Sequence, residues 1–155
     1  MKAIILAGGR GKRLRPITDK IPKPLIPINN KPLIERTIKY LKKYGINEII
    51  ISSGYKSNLI EKFLKKKKNF GCKIIFSIEK TPLGTGGAIK KALKHVNEKS
   101  FLVLNGDIVT NIDLKKILKK PNTIAANELK TKFGTMNIKN NKILKFNEKK
   151  DVTNV

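Results

Sequence analysis

The sequence predicts an α/β fold, a Rossmann-like, open and mostly parallel sheet with helices on both faces. Three observations carry that expectation. Apolar runs of strand length alternate with segments of helical period, the order from which parallel sheets are built. Three chemically unusual loops, Gly8 to Arg15, Glu79 to Gly87 and Asn105 to Asp107, each follow a predicted strand, and open α/β sheets bind ligands beyond the carboxyl ends of their strands. No internal repeat or linker divides the 155 residues, so residues 1–155 are expected to form one domain, long enough to bury a core.

Taken in order, Lys2 to Ala7 reads as a buried strand, and Gly9-Arg10-Gly11 can turn sharply after it because glycine tolerates positive φ. Pro16 to Pro32 reads as an extended, ordered loop, since Pro22, Pro24 and Pro27 forbid a regular helix. Leu33 to Tyr44 has helical period, with Ile34, Ile38 and Leu41 on one face and Gly45 as the stop. Glu48 to Ser53 is a second strand. Ser57 reads as the N-cap of a helix that buries Leu59, Ile60, Phe63 and Leu64. Lys73 to Ile78 is a third strand, Gly84 to Gly87 a glycine-rich loop, and Ala88 to Val96 a short helix. Phe101 to Leu104 is a fourth strand, Asp113 caps a helix through Leu118, and Thr123 to Ala126 reads as a further strand. Phe133 to Ile138 and Ile143 to Phe146 form a hairpin around Asn140-Asn141.

Composition narrows the function classes. No apolar run approaches the roughly 20 residues of a membrane span, and Ala3 to Ala7 is too short for a signal-peptide core. One cysteine, Cys72, excludes an internal disulfide and a cysteine metal cluster. A cytoplasmic location with no membrane partner is the resulting expectation. The 35 basic residues against 11 acidic ones give a net charge of +24. Attraction to polyanions and an A/T-rich genome, whose codons favour Lys, Asn and Ile, both account for such a charge. The details argue against nucleic acid as a partner: only Arg10, Arg13, Arg15 and Arg36 are arginine, aromatics are 6%, and tryptophan is absent.

The loop after the first strand, Leu6-Ala7-Gly8-Gly9-Arg10-Gly11-Lys12-Arg13-Leu14, fits neither common phosphate motif. A Walker A loop needs Ser or Thr where Arg13 stands, and a dinucleotide fingerprint needs a third glycine where Leu14 stands. The physics of both is nevertheless present. Small residues let backbone N–H groups approach an anion, and Arg13 offers a fork of donors to phosphate oxygens. A tight turn with solvated basic residues accounts for the same letters equally well.

The loop, with Pro16-Ile17-Thr18 and Pro22-Lys23-Pro24-Leu25, resembles the signature of sugar-phosphate nucleotidyltransferases, GGxGxRLxPLT followed by PKPL. Further blocks continue the resemblance in order: Lys31-Pro32-Leu33-Ile34-Glu35, Gly54-Tyr55, Pro82 to Ala88, Asn105-Gly106-Asp107 and Phe146-Asn147-Glu148-Lys149. It covers nearly the whole chain. The stretches Pro82 to Ala88 and Asp113-Leu114-Lys115 most resemble guanylyltransferases acting on heptose or mannose 1-phosphates.

The resemblance implies an enzyme that joins an NTP to a sugar 1-phosphate and releases pyrophosphate, by direct attack on the α-phosphate. It implies nucleotide contacts from Leu6, Ala7, Gly8, Gly9, Gly11, Lys12, Arg13, Glu79, Gly84 and Asn105. Arg13 would bind phosphates, Lys23 would lie near the reacting phosphoryl group and also touch the sugar phosphate, and Asp107 would hold Mg²⁺. A carboxylate only accepts hydrogen bonds. Guanine presents two adjacent donors, whereas uracil and thymine flank one donor with carbonyls, so Glu79 favours GTP. Gly134, Glu148 and Lys149 match sugar-side positions.

Two departures stand out. Family members usually carry Thr or Ser at the position of Lys12, and usually run well past Val155 into a part that holds a second metal-binding aspartate and much of the sugar pocket. Asp151 lies too soon after Lys149 to take that aspartate's place. The expectation is a domain lacking its C-terminal part, which binds NTP with weak or absent turnover. The alternatives are a non-catalytic nucleotide- or sugar-nucleotide-binding regulatory subunit of the same fold, a homo-oligomer, or a chain completed by a complementing partner.

Overall fold

A computed structural model describes residues 1–120, 122–126, 135–140 and 142–147. The elements run β1 (Lys2–Ala7), α1 (Ile17–Lys20), β2 (Pro27–Ile28), β3 (Lys31–Pro32), α2 (Leu33–Lys43), β4 (Glu48–Ser53), α3 (Ser57–Lys66), β5 (Lys73–Ile78), α4 (Gly84–Ala92), β6 (Phe101–Asn105), α5 (Leu114–Leu118), β7 (Thr135–Lys139) and β8 (Lys142–Asn147). They fall into two compact units, Met1–Lys115 and Lys116–Val155.

The first unit is built on a fully parallel sheet in the order β5-β4-β1-β6. The connections from β1 to β4 and from β4 to β5 step one way along the sheet, and the connection from β5 to β6 steps back past β1. Parallel crossovers are right-handed, so α2 and α3 lie on one face and α4 on the other. The expected Rossmann-like arrangement with helices on both faces is therefore what forms.

Strand register explains the two-layered core. Ile4 pairs with Ile50 and Val103, and Ile50 with Ile75. This row packs under Ala92, Ile89 and Leu93 around α4. The adjacent positions, Ala3, Ile5, Ile49 and Ile51, point to the opposite face and are no more than 1% exposed. That face corresponds to the buried stripes of α2 (Ile34, Ile38, Leu41) and α3 (Ile60, Leu64). Each fully buried isoleucine or leucine contributes about 1.5–3 kcal/mol relative to exposure.

Local structure departs from the expectations at five places. Pro16 to Pro32 is not wholly extended: a single turn, Ile17–Lys20, precedes the prolines that forbid helix, and β2 and β3 pair antiparallel after them. Ser57 is the first residue of α3 and not its cap, because its hydroxyl is engaged by Ser53 Oγ at 2.7 Å, while Lys56 takes the cap position at φ 51°. Gly84 to Gly87 is not a loop but the first turn of α4, and the residues after Ala92 tighten into a 3₁₀ turn, Leu93–His95. Thr123 to Ala126 forms no strand; Ile124 is 90% exposed, so no buried face holds the segment in a ladder. In the second unit β7 and β8 pair antiparallel, from Thr135 opposite Asn147 to Lys139 opposite Lys142. Phe133 and Gly134 lie outside the described residues.

Candidate functional site

The site begins where β1 ends. Gly11 sits at φ +62°, a conformation that glycine adopts freely, and its carbonyl accepts both Leu14 N–H at 2.9 Å and Thr18 Oγ1 at 3.0 Å. Thr18 is 1% exposed, and its own carbonyl accepts Tyr55 Oη at 3.0 Å. A Cβ on Gly11 would lie 2.9 Å from Thr18 Cγ2. The turn is therefore fixed from beneath, and the 3₁₀ turn Lys12–Leu14 carries Arg13 to the cleft.

A second glycine places the acid. Gly106 N–H donates to the Leu6 carbonyl at 2.8 Å, and a Cβ at Gly106 would stand 2.9 Å from that same oxygen. Only glycine lets the chain after β6 stay this close to the end of β1, and that close approach sets Asp107 beside the phosphate turn. From the other side, buried Pro22 opens the 3₁₀ turn Lys23–Leu25, with Leu25 N–H on the Pro22 carbonyl at 2.8 Å. Lys23 Nζ reaches Asp107 Oδ2 at 2.5 Å. The two side chains are 30% and 38% exposed, so the pair faces solvent through the cleft.

Glu79 follows β5 and is held by the ends of its neighbours. Its N–H donates to the Ser53 carbonyl at 2.7 Å, Ser52 Oγ donates to Oε1 at 3.2 Å, and Leu83 N–H donates to Oε2 at 3.0 Å. The last bond ties the carboxylate to the N-terminus of α4, where Gly84 borders the cleft.

These parts line one cleft of about 400 Å³, within the usual range of small-molecule sites. Leu6, Ala7, Gly8, Gly9, Gly11, Arg13, Lys23, Glu79, Gly84, Asn105 and Asp107 all border it. Lys12 does not; it is exposed in the same turn as Arg13. Gly134, Glu148 and Lys149 lie outside the described residues. Sequence reasoning missed Ser52, Pro24, Pro82, Thr85 and Ala88, which also line the cleft. For Ser52 a signal existed: it breaks an apolar run at the carboxyl end of a strand, where ligands gather. Among the described residues no helix is long and apolar enough to cross a membrane.

The model of the nucleotidyl transferase family matches residues 2–154. The chain is 41% identical over 157 residues to the D-glycero-alpha-D-manno-heptose 1-phosphate guanylyltransferase of Aneurinibacillus thermoaerophilus, covering 96% of this chain and 68% of that protein. It is 45% identical over 154 residues to the protein of the same name from Campylobacter jejuni, covering 96% and 69%. Among solved structures it is similar to HddC from Yersinia pseudotuberculosis complexed with GMP-PN, at 35% identity and a TM-score of 0.76, covering 96% of this chain and 69% of that one.

Proposed function

The chain belongs to the nucleotidyl transferase family, and from that premise we propose that it joins an NTP, with GTP favoured, to a sugar 1-phosphate and releases pyrophosphate. The observation that carries the reading is the convergence of the Gly8–Arg13 turn, Lys23 and Asp107 on one cleft. The similarity to two heptose 1-phosphate guanylyltransferases supports GTP and a heptose or mannose 1-phosphate as the substrate pair. The family model runs through both compact units, which supports reading them as parts of one nucleotidyltransferase domain.

In this reading a phosphate oxygen of the sugar 1-phosphate attacks the α-phosphorus of the NTP. A new P–O bond forms, the bond to the α,β-bridging oxygen breaks, and pyrophosphate carries away the electron pair. No side-chain nucleophile is required. The chain's task is to bring two anions together and stabilise the charge that accumulates. Backbone N–H groups of the Gly8–Gly11 turn and the Arg13 guanidinium take the NTP phosphates. Lys23 neutralises the reacting phosphoryl group. Glu79 and the first turn of α4 take the base. Gly134, Glu148 and Lys149 are proposed for the sugar and its phosphate.

The donor set fits Mg²⁺. That ion binds one or two carboxylates and completes its octahedron with phosphate oxygens and water. Asp107 supplies one partly exposed carboxylate beside the phosphate turn, paired with Lys23 through Oδ2, and no group of three His, Cys, Asp or Glu that could hold a metal occurs among the described residues. Asp107 would hold the ion, which would supply charge neutralisation on the phosphates.

Pyrophosphate release, measured with GTP, Mg²⁺ and a panel of sugar 1-phosphates, tests the reading. One sugar phosphate should stimulate release, with GTP exceeding ATP and UTP. Tight GTP binding with no release from any sugar phosphate would favour the non-catalytic nucleotide-binding subunit over the enzyme. Failure to bind any NTP would sink the site itself.

A further inference from the structure

The Glu79 carboxylate is oriented before any ligand arrives. A glutamate side chain left free in a loop loses rotamer entropy when a ligand fixes it. Here both oxygens already accept a donor, Ser52 Oγ on Oε1 and Leu83 N–H on Oε2. The surroundings leave little slack. A Cβ on Gly8 would lie 3.0 Å from Oε1, and one on Gly54 would lie 3.3 Å from the Glu79 carbonyl. A carboxylate offers about four lone-pair sites, so two remain for a ligand in the cleft that Glu79 lines.

The two donors differ in kind. Leu83 N–H is backbone and comes with the start of α4. Ser52 Oγ is a side-chain group, replaceable without disturbing the ladder, on a residue that is 0% exposed and flanked in register by Leu6 and Ser77. With Leu83 N–H on the other oxygen, the buried hydroxyl completes a two-point hold that restrains the plane of the carboxylate. The plane decides whether two adjacent N–H donors on a base edge can be met at once.

We propose that Ser52 is a specificity-determining positioning residue: its hydroxyl holds the Glu79 carboxylate in the plane that selects a nucleobase presenting two adjacent donors. The proposal rests on the reading of Glu79 as the base-facing carboxylate. Ser52 acts through Glu79, so its loss changes the choice between bases more than the grip on phosphates.

Calorimetric titration of the full chain with Mg²⁺ and GTP, ATP or UTP tests this. The variants are Ser52→Ala, Ser52→Cys, which is similar in shape but slightly larger and a poor donor, and Ser52→Thr, which keeps the hydroxyl. Ser52→Ala and Ser52→Cys should weaken GTP binding about tenfold and leave ATP and UTP within about twofold, so that the GTP:ATP preference falls about tenfold. Ser52→Thr should restore much of it. A preference for GTP that persists unchanged in Ser52→Cys overturns the role of the serine while leaving the base-reading role of Glu79 intact. Equal weakening of all three nucleotides also overturns it, by showing a purely structural role. A wild-type chain that binds the three nucleotides alike, or a Glu79→Gln variant that keeps full GTP preference, overturns the underlying reading and this proposal together.

Discussion

Lys23 Nζ lies 2.5 Å from Asp107 Oδ2, joining two segments 84 residues apart in the chain. Without substrate, the ammonium engages one of the two carboxylate oxygens that a divalent ion would compete for. Metal and nucleotide should therefore bind together: phosphates draw Lys23 away and Asp107 becomes free for the ion. Titration with Mn²⁺ alone should show little binding to the wild type, and more to Lys23→Met. Removing metal with EDTA should abolish pyrophosphate release. In the presence of GTP and Mg²⁺, Lys23→Met should lower turnover about 10²–10³-fold, the usual cost of losing one preorganised charge-stabilising donor.

Gly11→Ala should destabilise the chain by about 1–3 kcal/mol, because it places a side chain in the left-handed region and drives a methyl to within 2.9 Å of buried Thr18. Thermal melting checks the stability loss. GTP affinity should fall beyond what the melting shift accounts for, since the displaced turn carries Arg13.

Gly106→Ala should affect ligand binding more than Gly9→Ala. The added methyl at 106 meets the Leu6 carbonyl at 2.9 Å, whereas at Gly9 it meets nothing within 4 Å. Parallel nucleotide titrations of the two variants read the difference. Similar losses in both would show that the close approach of Gly106 to the end of β1 does not set the position of Asp107.

Cys72 should be slow to alkylate in the folded chain. Burial pushes its thiol above the ordinary range, and Lys42 only partly offsets this. A thiol whose folded pKa is raised contributes stability that is present below its unfolded value and is lost as pH rises through the folded one. Iodoacetamide labelling should therefore accelerate only at alkaline pH, above the roughly 8.5 of a free thiol, and labelling of the unfolded chain should be fast at lower pH.

Strand limits were legible because the buried isoleucine runs of β1 and β4 and the helical stripe of α2 set length and period together. The three ligand loops were legible because strand ends in such a sheet converge. What the letters withheld was decided by partners distant in sequence. Ser57 looks like a cap until Ser53 claims its hydroxyl. Gly84 to Gly87 look like a loop until Glu79 braces Leu83 at the start of a helix. Asp107 and Lys23 each carry a charge that the sequence displays, but their pairing depends on how closely Gly106 lets β6 approach β1. Lys12 and Arg13 are adjacent and equally basic, yet only the arm of Arg13 borders the cleft.

The central place of β1 has a consequence for the order of events during synthesis. Its two neighbours, β4 and β6, are translated long after it, and β6 only completes its pairing at Asn105. The ribosome adds roughly 5–20 residues per second, so the nascent phosphate turn spends several seconds without the flanking strand that positions Asp107. The cleft that the earliest-made strand begins is thus complete only once β6 has joined it, and nucleotide can assist folding only near the end of that interval.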